Sequence, residues 1–61
     1  MTSEDIKRNG GKMVTYQGDR YQLVGWVVWF KRPIVQQVIL KDLGCDRAYI
    51  YCSPDEVKEV N

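Results

Sequence analysis

Histidine is absent from this 61-residue sequence, and cysteine occurs only twice. Without histidine there is no ordinary Ser-His or Cys-His pair to activate a nucleophile. Two cysteines and no histidine cannot complete a tetrahedral zinc site within one chain, so Cys52 reads as a small buried apolar residue and Cys45 as a loop thiol. A phosphate-binding loop is missing as well, because Gly10-Gly11 follows no strand and has no Lys-Ser partner. Asp42 and Asp46 flank a glycine turn but match no calcium-loop spacing. Long hydrophobic runs are also lacking: the longest, 23–30, spans eight residues, against the roughly 20 a membrane helix needs. The opening MTSEDIKRNGG carries acids early and no apolar core, so a signal peptide is not expected there. Neither sign of charge dominates. Nine basic and eight acidic residues leave a net charge of +1, whereas a domain living mainly on phosphate contacts shows a clear basic excess. These absences predict a cytoplasmic, non-enzymatic protein with no cofactor, no metal and no membrane partner.

What is present is strand sequence. Residues 12–17 alternate, with Val14 and Tyr16 on one side and Met13 and Thr15 on the other, before Gly18-Asp19 turns the chain. Residues 20–30 form a long run of β-branched and aromatic residues, and Gly25 marks a bulge or corner within it. Pro33 closes that strand and makes 31–34 the next connection. A third strand, 35–42, points Val38 and Leu40 one way and Gln37, Ile39 and Lys41 the other. A turn around Gly44 leads to a fourth strand, 47–52, with Ala48, Ile50 and Cys52 inward and Arg47, Tyr49 and Tyr51 outward. Ser53-Pro54-Asp55-Glu56 combines a Ser N-cap, a proline in the first helical position and a glutamate placed for a capping box. A single helical turn follows, with Val57 and Val60 on the sheet or residues 58–60 straightening into a short last strand. At the other end, Thr2 or Ser3 can cap a turn, but the apolar content of residues 1–11 does not hold a helix, and a flexible arm is expected.

One domain, residues 12–61, therefore follows a short arm. Its fold class is all-β: a small antiparallel barrel of about five strands with a one-turn helix near the C-terminus, since a flat sheet this size leaves an apolar face wet. The segments VTYQGDRYQLVGW, VILKD and AYIYCSPDEVKEV together resemble the layout of SH3-like small barrels of the KOW and Tudor type, over residues 12–60. Small phage and prophage proteins share this pattern. The resemblance implies a module that binds proteins or nucleic acids rather than an enzyme.

The stretch LVGWVVWFKRP, residues 23–33, concentrates the candidate binding residues. With Tyr21, Leu23 and Val27 facing the core, strand parity puts Trp26, Val28 and Phe30 on the opposite side, and twist can bring Trp29 there too. Ile39, Tyr49 and Tyr51 share that side, and Lys31, Arg32 and Arg47 frame it. Two readings stay open: Trp26, Phe30 and Ile39 close a second small core, or the aromatics form an exposed patch of the kind that anchors interfaces. On the second reading the partner-binding set is Trp26, Trp29, Phe30, Lys31, Arg32, Arg47, Tyr49 and Tyr51. The expected partner is a host protein bound and modulated by a phage or mobile-element protein. Nucleic acid, read by base stacking, is the alternative. A structural or self-associating subunit is a third, with the chain itself a monomer or weak homodimer.

Overall fold

Gln17 and Gly18 both adopt left-handed dihedrals, with φ of 51° and 83°, the geometry a two-residue hairpin requires at both central positions. That turn joins β1 (Met13–Tyr16) to β2 (Asp19–Trp29), one residue earlier than the sequence suggests. The computed structural model describes residues 1–44 and 48–60. It is mostly antiparallel sheet, with five strands and one short α-helix. β3 (Val35–Lys41) and β4 (Tyr49–Cys52) continue the meander, and β5 (Val57–Glu59) returns to β1, giving the order β4-β3-β2-β1-β5.

The sheet is open, with β4 and β5 as its edges, yet these two strands are nearly consecutive in the chain. Flat, they would lie about 19 Å apart at normal strand spacing. The link between Cys52 and Val57 contains one turn of 3-10 helix, Pro54–Glu56, and reaches only about 12 Å. The sheet therefore curls. β2 makes this feasible by pairing with β1 over its first half and with β3 over its second. Between Leu23, opposite Leu40, and Gly25, opposite Ile39, Val24 is an extra residue, and such a bulge bends and twists its strand. The sequence places the corner at Gly25, one residue along.

Inside the curl, Val14, Leu23, Val38, Leu40 and Val57 are fully buried, joined by Ile6 and Cys52. The alternation expected in β3 and β4 is present: Val38 and Leu40 are buried, as is Cys52, while Tyr49 and Tyr51 face solvent. Ser53 caps the 3-10 turn, accepting from the Asp55 amide at 3.4 Å, and its own amide donates to Glu56 Oε2 at 3.3 Å. After that turn the chain straightens into β5, as one of the two expectations for this segment has it. Burial, with the Glu56 carboxylate adding to it, pushes the Cys52 thiol above its ordinary range, which suits packing rather than reactivity. Cys45, Asp46 and Arg47, including the expected loop thiol and the expected start of the fourth strand, lie outside the described residues.

The N-terminal segment corrects the sequence reading. Residues Ser3–Asn9 form a helix, α1, where an arm without one is expected. Thr2 and Asp5 build a capping box, the Thr2 amide donating to Asp5 Oδ2 at 3.0 Å and the Asp5 amide to Thr2 Oγ1 at 3.2 Å. Seven residues hold no helix by propensity alone. Tertiary contacts supply the rest: Ile6 enters the core, and the buried Asn9 donates through Nδ2 to Glu59 Oε1 of β5 and to Asp5 O, each at 2.8 Å. Arg8 reaches the same Glu59 oxygen and also Asp5.

Candidate aromatic face

Residues directly opposite in an antiparallel ladder point to the same side of the sheet, so the register assigns every aromatic to a face. Trp26 lies opposite Val38, a core residue, and packs against the core from the inner side. This overturns the expected outward placement of Trp26. The cause is Val24: an extra residue in the strand reverses parity for everything after it. Val27, expected in the core, moves to the outer face for the same reason, opposite Gln37.

The outer face is built from the second half of β2, from β3 and from β4. Trp29 stands there opposite Val35, 44% exposed. Its indole N–H donates to Gln37 Oε1 at 2.7 Å, and Lys31 Nζ lies 5.8 Å from the ring centroid, within cation–π range. At the centre, Ile39 rests on Gly25, where a Cβ would come within 2.9 Å of Ile39 Cδ1. Tyr51 lies opposite Ile39 and Tyr49 opposite Lys41, each 55% exposed. Trp26 mirrors Trp29 on the inner side, donating from Nε1 to Gln36 Oε1 at 3.2 Å. Two neighbouring glutamines thus hold the two indoles on opposite faces.

Of the expected set, the structure accordingly places Trp29, with Lys31 beside it, and Tyr49 and Tyr51 on one face, the tryptophan toward the Val35 end of β3 and the tyrosines toward its Lys41 end, and it excludes Trp26. Phe30 sits in the β2–β3 connection, 89% exposed, so it closes no second core. Arg32 is exposed in the same connection, and Arg47 lies outside the described residues. The sequence reading sets Gln37 on the side of Ile39 without counting it in the binding set, and puts Val27 in the core. The alternation in β3 carries the signal for Gln37, whereas nothing in the sequence fixes Val27 until the bulge is known. Helix α1 adds a feature the sequence did not suggest, a cleft of about 340 Å³ between it and β2, beside Ile6 and Trp26.

The arrangement offers apolar ring surface, two phenolic hydroxyls and the ammonium groups of Lys31 and Lys41, a composition suited to noncovalent docking. No cluster of three or more metal-ligating side chains and no helix long and apolar enough to cross a membrane occurs among the described residues. No family model, curated protein or solved structure matches this chain.

Proposed function

We propose that this chain is a non-enzymatic binding module whose outer aromatic face docks on a protein partner. The observation that carries the reading is the exposure of Trp29, Tyr49 and Tyr51 together on one side of one sheet. Monomeric soluble proteins seldom leave such surface open without a binding use, and Trp and Tyr are the residues that anchor interfaces. The fold that goes with this proposal is a partly open SH3-like barrel of the KOW and Tudor type. The strand order, the curl and the 3-10 turn before the last strand support it. The proposed setting is a small cytoplasmic phage or mobile-element protein that modulates a host protein, since small phage and prophage proteins share this strand layout. The absence of histidine from the chain supports a stoichiometric rather than catalytic role.

A protein partner is favoured over nucleic acid by the net charge of +1 and by Lys31, whose ammonium is already placed over Trp29. The test compares immobilised wild type with the Trp29→Ala/Tyr51→Ala double variant, checked as folded by circular dichroism, for proteins retained from a host extract. Retention by wild type and its loss in the variant is expected. Equal retention by both overturns the reading. Tight binding of a single-stranded oligonucleotide, weakening steeply with salt and lost in the same variant, replaces the protein partner with nucleic acid.

A further inference from the structure

The two edges of the sheet are treated differently by the sequence. β5 is three residues long and carries Lys58 and Glu59, and Arg8 and Asn9 of α1 bind its last side chain. Charge, shortness and cover are the devices that stop an edge from pairing with another chain. β4, one residue longer, lacks the charge and, among the described residues, the cover: Tyr-Ile-Tyr-Cys is uncharged, free of proline and regular in its pairing with β3.

The direction of its backbone groups follows from one bond. The Asp42 amide donates to Ala48 O at 3.3 Å, extending the β3–β4 ladder beyond the strands. In an antiparallel pair bonded and non-bonded positions alternate. Positions 48, 50 and 52 therefore bond to β3, and the N–H and C=O of Tyr49 and Tyr51 point outward from the sheet. The exposed residues of the aromatic face are thus the ones with outward backbone groups.

We propose that β4 pairs antiparallel with β4 of a second copy, about a two-fold axis at Ile50, joining two sheets into one. Tyr49 then lies opposite Tyr51 of the second copy, and Ile50 opposite its own equivalent. Three features select this occupant and register. Both Tyr49–Tyr51 pairs fall on outward-pointing groups and exchange both N–H···O bonds, while a register centred on Tyr51 sets Tyr49 against Ser53. A slip by one residue would set tyrosine against Ile50 and turn one copy's outer face to the other's inner side. And an uncharged strand meets itself without like charges opposed, gaining aromatic cross-strand pairs instead. Four residues on each side bury well under the roughly 1,200 Å² of a stable complex, so the dimer is weak and forms only at high protein concentration. Pairing in this register makes the two aromatic faces continuous, a bivalent surface that no single copy offers. The pairing does not depend on the function proposed above.

Sedimentation velocity from about 20 μM to 1 mM tests it, with backbone amide spectra over the same range. Wild type is expected to shift from monomer to dimer, with the Tyr49 and Tyr51 amides moving most. Tyr51→Pro removes an outward N–H and no bond to β3, and is expected to stay monomeric. Should that variant fail to fold, a charge pair replaces it: Tyr49→Lys/Tyr51→Lys and Tyr49→Glu/Tyr51→Glu each stay monomeric alone, and their mixture associates at least about tenfold more tightly than either. A wild type that remains monomeric at the highest concentration overturns the proposal and leaves the edge to a strand of different sequence. So does a folded Tyr51→Pro that dimerises like wild type, or a lysine–glutamate mixture that associates no better than its components.

Discussion

The contact between Gly25 and Ile39 yields a quantitative prediction about the register that defines the aromatic face. A Cβ on residue 25 would stand 2.9 Å from Ile39 Cδ1 and 3.4 Å from its Cβ and Cγ1, where comfortable carbon–carbon separations are about 3.5–4.0 Å. Gly25 is not among the glycines with positive φ, so the backbone itself accepts alanine. In Gly25→Ala, moving Cδ1 aside takes Ile39 off its rotamer at a cost of about 0.5–1.5 kcal/mol. Against this stands a gain of about 0.4–1 kcal/mol from a less flexible unfolded chain. The single variant thus lands near neutral or mildly destabilised. Ile39→Val deletes the offending atom and leaves the rest of the side chain in place. In that background Gly25→Ala keeps only the gain, so the double-mutant cycle gives a coupling of about 0.5–1.5 kcal/mol, with the double variant more stable than additivity expects. Thermal melts followed by far-UV circular dichroism resolve this, since about 1 kcal/mol shifts Tm by roughly 4–8 °C in a chain this short. A coupling within about 0.3 kcal/mol of zero would refute the reasoning. Ile39 would then not rest on Gly25, and the register that sets Trp29 on the same face as Ile39 and Tyr51 would lose its support.

In single-tryptophan variants, Trp26→Phe is expected to leave red-shifted, acrylamide-quenchable emission from Trp29, and Trp29→Phe blue-shifted, protected emission from Trp26; equal quenching of the two contradicts the bulge. Phe30→Ala is expected to change stability by no more than about 0.5 kcal/mol while Leu40→Ala costs about 2–5 kcal/mol, as urea titration would show. Asn9→Ala removes the donor to Glu59 and Asp5 O and is expected to cost about 1–2 kcal/mol, read as faster hydrogen exchange at the Ile6 amide. The Thr2 amide and then its hydroxyl, with Arg8 beside them, hold the Asp5 carboxyl below its ordinary range. A depressed acid stabilises the fold above its unfolded value and ceases to do so as pH falls through the folded one. Loosening of α1 on acidification below the usual aspartate range, and its absence in Asp5→Asn, is the outcome expected in a pH series of amide spectra.

Much of the sheet is legible in the residues. Val38, Leu40, Ile50 and Cys52 alternate with polar or aromatic neighbours, and period-two burial needs no knowledge of distant contacts. The Ser53–Glu56 cap is equally local. What escapes is whatever depends on counting across a bulge or on partners far along the chain. Trp26 and Val27 change faces because Val24 adds one residue, and a hydrophobic run such as 23–30 looks the same with or without that insertion. Helix α1 escapes because only Ile6 and Asn9 are buried from it, and the residue that holds Asn9 and Arg8 is Glu59, 50 residues from the first of them. Within the candidate site, Lys31, Tyr49 and Tyr51 are readable as exposed residues, whereas the outward side of Trp29 follows, like that of Val27, from the bulge, and the Gly25–Ile39 contact emerges only from the register.

The clasp at Glu59 bears on how the molecule opens. β2, β3 and β4 pair as chain neighbours, so their hairpins close cheaply and early, whereas β5 closes on β1 across nearly the whole chain. Because one carboxylate holds both α1 and β5, neither keeps its full set of contacts once the other leaves. Their exchange protection should therefore rise and fall together as a single cooperative unit, with a lower opening free energy than the meander. Each such opening bares the β1 edge that β5 normally occupies. The most aggregation-exposed state of this protein is then a native-like species with its ends released, rather than the fully unfolded chain.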